Sequence, residues 1–266
     1  MADKPTFIFV PGAWHRPASF EPLMQHLAGL GYPSVDVTLP SVDSDPVVES
    51  AQQDIDAVLD ATAAVIDSGR DAVVVLHSYG GLVGIEAVGK LLARRRKEET
   101  PAAGSGRIRR LVFIAAHAPL EGESTSSATS GVTENPPQLA QYWTVVPPYT
   151  TPKDLSPESF YHDVPEAERA KYGAMLGKHP ISCFRTAVTM PGWGEVPSTY
   201  IYTTLDRALP LVYQKFMVKK VKDAAKEGDT RPFEGELGEF TLESGHSPFL
   251  SQIEGLGSIL IATTEA

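Results

Sequence analysis

A serine in the run Leu76-His77-Ser78-Tyr79-Gly80-Gly81, an aspartate at Asp206 and a histidine at His246 are the side chains of this sequence that can act together chemically. A serine hydroxyl is a weak nucleophile near neutral pH and needs a histidine to take its proton. The histidine in turn needs a carboxylate to hold its tautomer and to stabilise the imidazolium that forms. In that division Ser78 is the nucleophile, His246 the base and then the acid, and Asp206 its orienter. The chemistry is acyl transfer, which develops an oxyanion and calls for preorganised N–H donors. The backbone N–H of Tyr79, directly after the nucleophile, is one candidate donor. The Ala13 N–H, in the Gly12-Ala13 loop, is the other.

Such a constellation works only if separate elements carry its members to one place. Ala72 to Val75 are consecutive apolar residues with the β-branched content of a strand buried on both faces, as in parallel sheets. Leu82, Val83, Ile85, Val88, Leu91 and Leu92 then recur at helical spacing, which leaves Ser78 in a sharp strand-to-helix turn. Upstream, Thr6 to Val10 reads as a buried strand ended by Pro11-Gly12. Ser19 is placed to cap a helix bearing Phe20, Leu23, Leu27 and Leu30, and Ser34 to Leu39 reads as a second strand. Ile55, Val58, Leu59, Thr62 and Ile66 mark another helix. Alternating strands and helices specify an α/β fold: a mostly parallel central sheet with helices on both faces. Arg109 to Ala116, Thr199 to Thr204 and Glu239 to Leu242 supply further strands, and amphipathic helices follow Pro210 and Pro248. Ser78, Asp206 and His246 each follow a strand, so the topology lines them up along the carboxyl edge of the sheet, where open α/β sheets bind ligands.

Between His117 and Glu195 the pattern changes. The stretch is rich in proline and in Ser/Thr, yet Tyr142, Trp143, Tyr149, Phe160, Tyr161, Tyr172, Phe184 and Trp193 make it too aromatic for a disordered linker. Residues 117–195 are expected to form an inserted cap of short helices and turns, over a core made of 1–116 and 196–266. A cap covers a cleft, so Trp143 is a candidate pocket residue together with Trp14, His15, His117 and Phe249. Glu121, also beyond a strand, is a rival to Asp206 as the acid. His77 is expected to point into the core beneath the nucleophile.

The 23 Lys and Arg against 33 Asp and Glu give a formal net charge of -10, which argues against a nucleic-acid partner. One cysteine, Cys183, excludes an internal disulfide and a multi-cysteine metal site, so no metal is expected. The N terminus lacks a charged segment followed by an apolar run, and no stretch approaches the about 18 apolar residues of a membrane span. The expectation is a cytoplasmic protein acting on a small-molecule substrate, without a membrane partner. Nothing in the chain specifies an oligomeric state.

Four blocks carry a family resemblance: Phe-Val-Pro-Gly-Ala-Trp-His at 9–15, His-Ser-Tyr-Gly-Gly at 77–81, Tyr-Thr-Thr-Leu-Asp-Arg-Ala-Leu-Pro at 202–210 and Gly-His-Ser-Pro-Phe at 245–249. Together, and in the chain order Ser, Asp, His, they resemble the α/β-hydrolase superfamily, and within it the small cofactor-free group of plant methylesterases and hydroxynitrile lyases. Two positions depart from that group: Pro11 stands where it has histidine, and Leu76 where the G-x-S-x-G motif has its first glycine. Leu76 precedes the strained position, so a repacked elbow is expected. The resemblance implies no cofactor and an ester or lactone hydrolase for small to medium apolar molecules. A lyase or cyclase on the same site, or a ligand-binding receptor of the same fold, are the other readings compatible with it.

Overall fold

The computed structural model describes residues 4–97, 104–132, 143–153, 156–227, 232–233 and 238–264. The chain enters as β1 (Thr6–Val10), passes through a 3-10 helix at Pro17–Phe20 into α1 (Glu21–Gly29) and returns as β2 (Ser34–Asp36). Next come α2 (Gln52–Asp67), β3 (Ala72–His77), α3 (Gly80–Lys97) and β4 (Ile108–Ile114). An insert follows, holding α4 (Thr125–Ala128), β5 (Trp143–Val146), β6 (Tyr149–Pro152), α5 (Ser156–Phe160), α6 (Glu166–Gly173), β7 (His179–Pro180) and α7 (Ile181–Arg185). The core resumes with β8 (Ser198–Thr203), α8 (Leu211–Glu227) and β9 (Glu239–Leu242), and ends in a helix broken at Gln252 into α9 (Pro248–Ser251) and α10 (Ile253–Ala262).

The six core strands form one parallel sheet in the order β2-β1-β3-β4-β8-β9, the α/β-hydrolase fold, with α2 packed on α3 and α1 packed on α10. Both faces of the central strands are covered, and every residue of β1 and β3 is buried, as their unbroken apolar runs require. Paired strand ends run in step: Val10 opposite Leu76, His77 opposite Ile114, Ile114 opposite Ile201 and Thr203 opposite Leu242. The strand order reverses between β1 and β3, since the connection after β1 runs outward to β2 while that after β3 runs the other way to β4. The crevice outside such a switch point is where a ligand is held.

Two local expectations fail. Ser19 does not cap α1: its hydroxyl donates to the Arg16 carbonyl at 2.7 Å, and Pro17 starts a 3-10 turn ahead of the α-helix. Strand β2 pairs over only three residues instead of running to Leu39, although Val37 N–H still reaches the Phe9 carbonyl at 2.9 Å. The insert departs more. Beside the expected short helices it holds an antiparallel sheet, β5-β6-β7, which was not expected. Its sequence signal is the β-branched content on either side of Pro147-Pro148, which the proline count obscures. Phe160, Tyr161, Tyr172 and Trp193 are buried in or beneath the insert, and Tyr142 lies outside the described residues. No helix among the described residues is long and apolar enough to cross a membrane.

Candidate active site

Ser78 sits in the turn between β3 and α3 with φ 52°, a left-handed conformation that costs a residue with a side chain about 1–3 kcal/mol unless its surroundings impose it. They do. Ser78 N–H donates to the Ile114 carbonyl at 3.3 Å, and the Ser78 carbonyl accepts from Gly81 N–H at 3.0 Å and His117 N–H at 2.9 Å. The two glycines let α3 close on its neighbours, because a Cβ on Gly80 would lie 2.6 Å from the Val10 carbonyl oxygen and one on Gly81 2.0 Å from that of His117. Leu76, at the position of the missing motif glycine, is fully buried. Its Cδ2 occupies the place a side chain on Gly84 would need, 2.1 Å from the ideal Cβ. The space the motif normally makes at the strand end is here made one turn into the helix, and the elbow is kept.

Asp206 follows β8 and is buried. Oδ1 accepts the Ala208 and Leu209 N–H groups at 2.8 and 2.7 Å, and Oδ2 accepts the Thr203 hydroxyl at 2.8 Å and Gln214 Nε2 at 3.3 Å. Its remaining partner is His246 Nδ1, at 2.8 Å. A carboxylate only accepts, so Nδ1 carries the proton and Nε2 is left as the basic nitrogen. The loop bearing His246 is tied to the insert: Asp163 Oδ2 accepts Gly245 N–H at 2.6 Å and the Ser251 hydroxyl at 2.7 Å. Glu121, the rival acid, is exposed to solvent.

Three further histidines surround this pair and are held neutral. His77 is buried beneath the turn, its Nε2–H donating to the His246 carbonyl at 3.0 Å; burial, then the proximity of His246 and His15, pushes its pKa well below the ordinary histidine value. His15 donates from Nδ1 to the Ala13 carbonyl at 2.7 Å and is pushed down to about 3, chiefly by burial. Burial likewise lowers His117 to about 4.

A cavity of about 450 Å³ opens above the switch point. Ser78, Tyr79, Ala13 and His246 form its floor, with Trp14, His117, Trp143, Phe160, Phe184 and Leu209 among its walls. Neither the Ala13 nor the Tyr79 N–H is bonded to an acceptor among the described residues. Trp14 is itself strained, at φ 66°, and the insert holds it: its indole donates to Thr150 Oγ1 at 3.0 Å and its carbonyl accepts Gly177 N–H at 2.8 Å. Of the pocket residues expected from the sequence, Trp14, His117 and Trp143 line the cavity, and His15 and Phe249 do not. His15 turns away to pack edge-on against His77 and Phe160, and Phe249 lies fully buried against Phe20 and His77. Following a strand sets a residue's level in the fold but not the direction of its side chain.

Behind Tyr79 lies a buried group, Asp54, His179 and Cys183, whose donor atoms come within 4.8 Å of one another. It is the one set among the described residues spaced to hold a metal ion. Asp54 is already engaged, accepting Ser41 N–H and hydroxyl at 2.9 and 2.6 Å and the Tyr79 hydroxyl at 2.8 Å, and burial raises its pKa. Burial pushes the Cys183 thiol up to about 12, so this cysteine is a packed, unreactive thiol. Asp54 thus fixes the side chain of Tyr79 from below. Gln214, Asp163, Asp54 and Gly84 support the site without having been singled out in the sequence; the sign available for Gln214 was a polar residue on the core-facing stripe of α8.

The Alpha/beta hydrolase family model matches residues 7–256, and the chain belongs to that family. It is 31% identical over 249 residues to the alpha/beta hydrolase nvfD of Aspergillus novofumigatus, covering 93% of this chain and 92% of that one. It is 26% identical to the probable hydrolase R7 of a Phoma species, covering 97% of each. Among solved structures it superposes on the methylesterase MES16 of Arabidopsis with a TM-score of 0.70 at 22% identity, covering 98% of this chain and 99% of that one. A pyrethroid hydrolase from Sphingobium faniae gives 0.73 at 18% identity, covering 98% of both chains.

Proposed function

We propose that this hydrolase cleaves an ester or lactone bond of a small to medium, largely apolar molecule without a cofactor, by acyl transfer through Ser78. The observation that carries the reading is that His246 shares the cavity floor with Ser78 while its Nδ1 is bound to the buried Asp206 at 2.8 Å. His246 Nε2 takes the hydroxyl proton as Ser78 Oγ attacks the carbonyl carbon. The tetrahedral intermediate's oxyanion is met by the Ala13 and Tyr79 N–H groups, and a donor of this kind contributes about 2.7–4 kcal/mol in enzymes where one has been removed. His246 returns the proton to the leaving alcohol oxygen, and water, deprotonated by His246, then releases the acid from Ser78. The insert serves as the cap, its aromatic side chains giving the cavity an apolar wall that suits a hydrocarbon-rich substrate. The hydrolase, esterase and methylesterase names of the relatives and structural neighbours support the same class.

The test is a panel of esters and lactones offered to the wild type and to Ser78→Ala in heavy-oxygen water, with products read by mass. Hydrolysis predicts an acid carrying one solvent oxygen, formed by the wild type alone. Turnover that depends on Ser78 but incorporates no solvent oxygen would instead establish a lyase or cyclase. Tight binding with no turnover would establish a receptor.

A further inference from the structure

We propose that Arg185 is an anion-binding end of the cavity, so that the preferred substrate is an amphipathic ester or lactone with a carboxylate remote from the scissile bond. This rests on the hydrolase reading for the scissile bond and on the structure for the anion. Arg185 ends α7, lines the same cavity as Ser78 and is otherwise exposed, which puts it at the mouth. Its backbone is well anchored: the Ser182 hydroxyl donates to the Val48 carbonyl at 2.7 Å and the Thr125 hydroxyl to the Phe184 carbonyl at 3.0 Å.

A cation at a helix end is ordinary. What is unusual is its surroundings. Among the described residues no aspartate or glutamate lines the cavity and no carboxylate pairs with Arg185. Elsewhere in this acid-rich chain Arg95, Arg96, Arg109 and Arg169 each face a carboxylate. Thr125, Ser126 and Thr129 add hydroxyls to the lining, whereas Trp14, Trp143 and Phe160 present apolar rings. The cavity therefore joins a nucleophile to a guanidinium across a hydrocarbon-compatible space. With a net charge of -10 the protein's overall field repels an anionic substrate, and an unneutralised local cation reverses that field at the entrance. A guanidinium also presents paired N–H donors that match a carboxylate's two oxygens.

The test compares the p-nitrophenyl half-ester of adipic acid with p-nitrophenyl hexanoate, which has the same chain length but no charge. The ratio of kcat/KM for the charged over the neutral ester is expected to fall about tenfold in Arg185→Gln, to fall further in Arg185→Glu and to be partly kept in Arg185→Lys. The wild-type ratio should also fall with added salt. An unchanged ratio in Arg185→Gln overturns the assignment. A second arm is independent of turnover: tryptophan fluorescence of Ser78→Ala is titrated with phenylhexanoate and with phenylhexanol. Tighter binding of the acid, lost when Arg185→Gln is added, upholds the anion site even if no ester is cleaved and the hydrolase reading fails. Equal binding of acid and alcohol refutes the anion site and leaves the hydrolase reading standing.

Discussion

Behind His246, outside the lining of the cavity, Asp206 is held by hydrogen bonds from Thr203, Ala208, Leu209, Gln214 and His246, all buried or nearly so, on elements pinned by the parallel sheet. At the mouth, Val145 and Arg185 stand exposed on elements only a few residues long. The difference separates two kinds of work. Groups that do chemistry must keep geometry within fractions of an ångström, so each is fixed by several partners; groups at the mouth are under no such constraint, and on the proposed reading they meet only a substrate's periphery.

That contrast can be broken in order of effect. Asp206→Asn can keep the two backbone bonds to Oδ1 but turns an amide NH2 toward His246 and favours its wrong tautomer, so kcat for an ester that the wild type cleaves should fall by about 10³–10⁴; a loss under tenfold would mean that this network is no more constrained than the mouth. Gly84→Ala forces its new methyl against Leu76 and should destabilise the protein by about 1–3 kcal/mol in urea denaturation. Leu76→Ala alone should cost about 2–5 kcal/mol, and the double variant should lose less than the sum of the two single losses because the methyl then has room; a strictly additive pair would show that Gly84 does not accommodate Leu76.

The insert's own sheet gives a pH-dependent prediction. His179 is fully buried, its ring nitrogens make no hydrogen bond among the described residues, and burial pushes its pKa down to about 3. The folded form therefore stays neutral where the unfolded chain, with an ordinary value of 6.5, takes a proton. Stability from this residue is fully present above the unfolded value and is lost as pH falls, by about 1.4 kcal/mol per pH unit. His179→Leu should reduce the acid slope of stability by about one proton between pH ~6 and ~4, measured by urea midpoints. An unchanged slope would place the ring in contact with water. Least affected of all should be Val145→Ser at the exposed mouth, with less than about a threefold change in kcat/KM for a short ester and under about 0.5 kcal/mol in stability.

The same contrast decides what could be read from the sequence. β1 and β9 were legible to the residue because turn residues bound their apolar or alternating runs, and the parallel topology followed from the alternation of elements. Ser78, Asp206 and His246 were legible as polar residues just beyond strand ends. Gln214, Asp163 and Gly84 were not, since each acts through a partner distant in the chain: Asp206 for Gln214, Gly245 for Asp163 and Leu76 for Gly84. His15 and Phe249 were expected to face the cavity and do not line it, because a place just beyond a strand, on a loop or in a short helix, does not fix side-chain direction. The β5-β6-β7 sheet was hidden by the prolines that delimit its strands. Arg185 offered no pattern at all, since the role proposed for it rests on the absence of a carboxylate partner among the described residues.

Ser78 as the nucleophile is the claim on which the floor's design depends. Intact-mass spectrometry after exposure to an alkyl fluorophosphonate tests it most directly. One adduct is expected, mapped to Ser78, formed by the wild type, absent in Ser78→Ala and strongly slowed in His246→Ala. A wild-type protein that stays unmodified, or carries its adduct on another residue, would contradict the account.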